Sequence, residues 1–131
     1  MHADDIHKYR VVCIGLPGGE ILNRYTDAVA AAICNGVGAA WTDRVAPRAS
    51  AILSRALPWA VAPSIIHDLR YHEGVGGEAG RQLVDCQFLG GCDLMIDWQG
   101  GCAIARWWRH RKAMGLYRVL RKYGKFAWEG K

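Results

Sequence analysis

Ile66-His67-Asp68-Leu69-Arg70-Tyr71-His72-Glu73-Gly74-Val75-Gly76-Gly77-Glu78 is the stretch that decides the fold. Its first half follows Pro63, a residue suited to the first turn of a helix. Gly74-Val75-Gly76-Gly77 is the sharpest break in the chain and predicts a turn between two antiparallel helices. On a helix His67 and Tyr71, four apart, share a face, while Asp68 is rotated by about 100°. Asp85 lies 18 residues beyond His67, across the turn. Antiparallel pairing would set it level with His67. Its carboxylate could then accept the Nδ1–H of His67, fix the tautomer and raise the basicity of the ring. That leaves Nε2 to take a proton from water. Tyr71 is read as a packing residue that can also hold Asp85 through its hydroxyl.

Outward from this hairpin the chain reads as mainly helical. The second helix of the pair runs from Glu78 to about Leu89, is weakened by Gly90-Gly91, and resumes through Trp98. Upstream, Ile21, Leu22, Tyr25, Val29 and Ile33 sit at helical spacing and predict a helix from Glu20 to about Cys34. Residues 47–60 predict another, with Ile52, Leu53, Leu57 and Trp59. Residues 1–18 read as an extended or irregular arm, with the apolar run Val11–Leu16 closed by Pro17, Gly18 and Gly19. A final helix is expected from about Cys102 to Tyr123. The organisation is thus an arm over 1–18, a helical core over 19–101, and a basic aromatic helix with its tail over 102–131 packed on that core. Phe126 and Trp128 are expected to clip the tail to the body.

The chain of 131 residues is one domain in size, and 51% hydrophobic against 22% charged residues is enough to bury a core. No stretch has the length and apolarity of a membrane span. Residues 1–30 carry acids and His early and no apolar run with a cleavage site, so no leader is expected. The odd set Cys13, Cys34, Cys86, Cys92 and Cys102 has no paired spacing, which points to free thiols rather than disulfides or zinc. Charge is segregated. Residues 1–105 have a net charge of −3, whereas residues 106–131 hold nine Lys and Arg against Glu129 alone. A basic end of that kind suits a polyanion: nucleic acid, an anionic membrane or an acidic partner.

A hydrolytic base needs a stabiliser for the developing oxyanion. Asn35-Gly36-Val37-Gly38 is either a simple helix stop or a loop that turns backbone carbonyls towards a cation. Asp68 could add a carboxylate, and oxygen-only ligands of this kind favour Ca²⁺. The set Asn35-Gly36-Val37-Gly38, His67-Asp68-Leu69-Arg70-Tyr71 and Val84-Asp85-Cys86-Gln87-Phe88 resembles the phospholipase A2 superfamily, in particular its compact prokaryotic and phage-encoded members. That family has a glycine-rich calcium loop, a helix bearing His-Asp-x-x-Tyr and an antiparallel helix bearing a second Asp. The tail from Tyr117 to Lys131 is similar to that of small phage proteins with this core. The resemblance implies His67, Asp85 and Tyr71 as catalytic residues. It also implies calcium on Asp68, Asn35, Gly36 and Gly38, and hydrolysis of a glycerophospholipid acyl ester. Two departures stand out: Ser64, Ile65 and Ile66 replace the cysteines that precede the His in secreted members, and Ala39-Ala40 follow Gly38.

Trp107-Trp108-Arg109-His110-Arg111-Lys112 interleaves indoles with cations. This suits a membrane interface, where indole sits at headgroup depth and Arg meets phosphate. It also suits nucleic acid, by stacking and phosphate contact. The plainer reading is a helix with Trp108, Leu116, Val119, Leu120 and Tyr123 on the domain and a solvated basic face. Two functions follow. One is a calcium-dependent acyl hydrolase made in the cytoplasm, carried there or in a virion, and acting at an anionic membrane. The other is a non-catalytic virion or accessory module that keeps these helices and holds membrane, nucleic acid or a protein through its tail.

Overall fold

The structure is a computed structural model and describes residues 1–34 and 49–128, with the side chains of 49–51 excepted. The calcium-loop positions Asn35, Gly36 and Gly38, and the tail residues 129–131, lie outside the described residues. Among the described residues there are six α-helices, in order α1 (Ala3–Ile14), α2 (Asp27–Ile33), α3 (Ala49–Ala56), α4 (Val61–Glu73), α5 (Gly77–Gln99) and α6 (Ala103–Tyr123). Short 3₁₀ turns occupy Gly19–Arg24, Pro58–Ala60 and Gly124–Phe126. No strand occurs among the described residues.

The hairpin of α4 and α5 is the frame. Gly74 ends α4 in the left-handed conformation, φ 58° and ψ 39°, and its N–H returns to Arg70 O. A side chain there would be strained. From this turn the two helices run antiparallel, which brings Pro63 opposite Gly91 and His67 opposite Asp85. At Gly91 a Cβ would lie 3.3 Å from Pro63 Cβ and Cγ, so the glycine lets the helices close. The expected interruption at Gly90-Gly91 does not occur, because α5 passes through it unbroken. Packing against α4 on one side and α6 on the other offsets the weak propensity of glycine.

The first 18 residues correct the expectation of an extended arm. Residues 3–14 are helical, with Asp4 and Asp5 in the first turn. The His2 N–H donates to Asp5 Oδ2 at 3.2 Å. Ile6, Cys13 and Leu16 lie in the main core, whereas Val11 is 80% exposed. The run of β-branched residues near Val11 suggests a strand. The helical stripe through Ile6, Tyr9, Cys13 and Leu16 is what the fold uses. Residues 20–34 also differ from the single helix expected. Arg10 takes the carbonyls of Leu22 and Tyr25 at 2.7 and 2.9 Å and pairs with Asp27 at 2.6 Å. Those carbonyls are drawn out of a continuous helix, and Thr26 starts α2 afresh by accepting the Val29 N–H.

The core joins α1, α2 and the first 3₁₀ turn to α4, with Ile6, Ile21, Leu22, Ile65, Leu69 and Ile96 fully buried. All five cysteines are free thiols. Burial pushes the Cys13 thiol up to about 12 and raises Cys34 and Cys92 further, so these three stay protonated and behave as small apolar groups.

The α5–α6 hairpin packs differently from the expectation. Trp108 is 54% exposed and Val119 and Tyr123 are also exposed, while Ala113 is fully buried and Leu116 and Leu120 border the core. Polar contacts pin the pair near its tip. His110 on α6 faces Asp93 at 2.7 Å and Asp97 at 3.1 Å, one carboxylate on each ring nitrogen. In the tail Trp128 is buried and Phe126 is 78% exposed, so only the tryptophan returns to the body.

The hydrogen bond to Asp93 outweighs desolvation and, with Asp97, raises His110 above the ordinary histidine value. The folded protein therefore binds this proton more tightly than the unfolded chain. The stabilisation is complete in acid and is lost as pH rises through the folded His110 value. The melting-temperature gap between wild type and His110→Gln should be clear at about pH 5.5 and close by about pH 8.5.

Candidate active site

Three residues of the hairpin and one of α6 converge on the carboxylate of Asp85. His67 and Tyr71 sit one turn apart on α4, and their rings stack at 4.0 Å between centroids, tilted by 33°. Asp85 on α5 is wholly buried. Its Oδ1 accepts from His67 Nε2 at 2.9 Å and from the Tyr71 hydroxyl at 2.7 Å. Its Oδ2 accepts from Arg121 at 2.7 Å and stands 3.5 Å from an Arg81 nitrogen. Phe88, one turn past Asp85, meets the His67 ring edge-on at 5.4 Å. Trp128 does the same to Tyr71 at 5.1 Å. The pair is thus closed in by aromatic rings.

The geometry exchanges the expected roles of the two ring nitrogens. Nε2, not Nδ1, faces Asp85. An ionised carboxylate only accepts, so Nε2 carries the proton and donates. Nδ1 keeps the lone pair and looks towards Asp68, whose Oδ1 is 3.9 Å away. The reason is local. His67 and Asp68 are consecutive, so the nearer ring nitrogen stays beside the α4 backbone while the far one reaches across the hairpin.

Burial alone would lower the affinity of His67 for a proton. The hydrogen-bonded and charged influence of Asp68 and Asp85 overcomes it, and the net shift is upward. For Asp85 burial raises the value, but donors from His67, Tyr71 and Arg121 outweigh it and hold the carboxyl ionised. Burial and the neighbouring Asp85 charge push Tyr71 up, so its phenol remains a donor. An imidazole with one nitrogen fixed by a buried carboxylate can accept a proton at the other and be stabilised as the cation.

Two of these residues were not anticipated from the sequence: Arg81 and Arg121. Arg81 stands four before Asp85 on one helix, a spacing that was readable. The spacing alone does not choose among the carboxylates within its reach. The structure gives Arg81 to Glu78, at 2.8 and 3.0 Å, and to Asp85. Arg121 carried no local signal, because only the packing of α6 on α5 brings it to Asp85.

A narrow crevice, too tight to hold a water molecule, borders His67. Pro63 and Ile66 form one wall, Val84, Gln87, Phe88 and Gly91 the other, and Leu16-Pro17 closes over them. It is apolar apart from Gln87, whose Oε1 is buried with no hydrogen-bond partner among the described residues. Of the expected metal donors, Asp68 lies within the described residues, beside Nδ1 and 17% exposed. Its hard carboxylate oxygens suit Ca²⁺. Among the described residues no cluster of three or more His, Cys, Asp or Glu side chains is placed to hold a metal ion.

The aromatic and basic residues 107–112 of α6 lie about 14–21 Å along the helix from Arg121. Trp107 and Trp108 are each about half exposed, with rings edge-to-face at 4.9 Å. The Arg111 guanidinium lies over Trp107 at 4.9 Å. Lys112 is exposed. Arg109 is spent on the hairpin turn, donating to Gly100 O at 2.8 Å. No helix among the described residues is long and apolar enough to cross a membrane. Compared with known family models, with curated proteins and with solved structures, the chain finds no match.

Removing the Asp85 carboxylate would strand Arg81, Arg121, Tyr71 and His67 around a cavity. Asp85→Ala should lose about 3 kcal/mol or more of stability in urea denaturation, since breaking a buried pair leaves its partner charges uncompensated.

Proposed function

We propose that this protein is a phospholipase A2-like hydrolase that cleaves an acyl ester of a glycerophospholipid at an anionic membrane. The observation that carries this reading is the 2.9 Å contact from His67 Nε2 to a wholly buried Asp85. It leaves Nδ1 as a base on the side of Asp68. Water gives a proton to Nδ1 as its oxygen attacks the ester carbonyl. Asp85 stabilises the imidazolium, and Tyr71 keeps the carboxylate aimed. As the tetrahedral species collapses, Nδ1–H returns the proton to the departing alkoxide. The products are a fatty acid and a lysophospholipid. A calcium ion held by Asp68 and the carbonyls of Asn35, Gly36 and Gly38 would polarise the ester carbonyl. The apolar crevice beside His67 would have to open to take an acyl chain.

The exposed pair Trp107 and Trp108, with Arg111 and Lys112 beside them, supports a lipid surface as the partner. Indoles insert at headgroup depth and the cations meet phosphates. Nucleic acid or a virion protein would use the same residues in the alternative, non-catalytic reading.

Fatty-acid release from mixed anionic and zwitterionic vesicles, measured with calcium and with chelator, tests the reading. Wild type should release fatty acid only with calcium, and His67→Ala should lower the rate by about 10²–10⁴-fold, as for loss of a general base. Trp107→Ala with Trp108→Ala should weaken vesicle binding by about tenfold or more while sparing the fold. Release by wild type no greater than by folded His67→Ala, across several lipids, would leave a binding module.

A further inference from the structure

We propose that Arg121, delivered by the C-terminal helix, is a positioning residue of the His67–Asp85 pair: it anchors Asp85 Oδ2 so that Oδ1 stays aimed at His67 Nε2. The inference rests on the hydrolase reading for its catalytic consequence, but not for its geometry.

The terminal torsion of an aspartate is broad and two-fold, so rotamer preference alone does not set the plane of the carboxylate. Partners on both oxygens must do so. On Oδ1 there are two donors, His67 at 2.9 Å and Tyr71 at 2.7 Å, both from α4. On Oδ2 the close donor is Arg121 at 2.7 Å, from α6. Arg81 is nearer in sequence but poorly placed. It stands at 3.5 Å from Oδ2, and its Nε and second terminal nitrogen are bound to Glu78. Its remaining nitrogen is shared with Leu120 O at 3.2 Å. Removing Arg121 would therefore leave Oδ2 with one long contact, and the carboxylate could rotate away from His67.

Arg121 is itself held rigidly. Its second terminal nitrogen donates to Glu78 at 2.7 Å, so the guanidinium fork spans two carboxylates about two helical turns apart on α5. The fork is planar, and seating both prongs fixes the position of α6 against α5 at this level. Backbone contacts complete the seat, because Arg81 reaches the carbonyls of Leu120 and Arg121. The basic helix is in this way part of the site and not only a surface that meets a partner.

The test uses the full chain with Arg121→Gln, Arg121→Lys and, as a control for bulk charge on the same helix, Arg118→Gln at an exposed position. Two readouts are taken. One is the low-field proton resonance of His67 Nε2–H, assigned by its absence in His67→Gln and read without substrate. The other is kcat and KM on vesicles. Arg121→Gln should speed solvent exchange of that proton severalfold and lower kcat by up to about 100-fold with KM little changed, as for misplacement of a catalytic group. Arg121→Lys, which keeps the charge but reaches one acceptor, should fall between Gln and wild type. Arg118→Gln should match wild type in both readouts. A folded Arg121→Gln with wild-type exchange and wild-type kcat overturns the proposal, as does an equal loss in Arg118→Gln. If Arg121→Gln does not fold, Arg121→Lys decides: faster exchange than wild type supports the role, and unchanged exchange overturns it. Should wild type release no fatty acid while the resonance still depends on Arg121, the hydrolase reading fails and the positioning role stands.

Discussion

A wholly buried carboxylate must be paired on every side or it does not stay ionised. Asp85 meets that requirement with donors from three helices: His67 and Tyr71 from α4, Arg81 from its own helix and Arg121 from α6. Much of the architecture can be read as what this one group demands. The α4–α5 turn must be tight for His67 to come level with it. Gly91 must lack a side chain for the helices to close on Pro63. The last helix must turn back along α5 far enough to bring Arg121 to Oδ2. Each of these conditions is met by a different stretch of chain, so the carboxylate ties local choices into one arrangement.

The same pairing divides the molecule into two kinds of surface. Around Asp85 the charges are mutually satisfied, with Glu78, itself at the surface, closing the network through both arginines. About 14–21 Å away along α6 the charges face outwards, beside Trp107 and Trp108. One helix therefore serves both as a wall of the site and as the carrier of the exposed aromatic and basic patch. Its net positive charge is not uniform in purpose. Arg121 is spent on Asp85 and Glu78 and Arg109 on a turn carbonyl, whereas Arg111 lies over Trp107 and Lys112 is exposed.

The two ring nitrogens of His67 show how a small geometric fact changes a mechanism. Residue spacing brings His67 and Asp85 together but does not say which nitrogen is presented. In the structure the far nitrogen crosses the hairpin and the near one stays beside Asp68, which moves the lone pair to the Asp68 side of the ring. Periodicity also does not resolve the first 18 residues. Val11 and Val12 suggest a strand. The helix instead buries Ile6 and Cys13, because α2 and α4 supply the apolar surface that α1 covers.

What the sequence by itself determined is local. The glycine run at 74–77 could only be a turn. The spacing of His67 and Tyr71 could only place them on one helical face. Eighteen residues between His67 and Asp85 made their meeting a consequence of helix geometry. The mainly helical class and the meeting of His67 with Asp85 across a hairpin were legible for that reason. Tertiary structure decided what depends on distant surfaces meeting. It split residues 19–33 by drawing carbonyls to Arg10, carried α5 through Gly90-Gly91, exposed Trp108 and Val119, and brought Arg121 to Asp85 across 36 residues. A side chain that is one of nine cations in the last 26 residues has no local mark of its role. Only the packing of α6 on α5 selects it, since the demand comes from a buried charge far away in the chain.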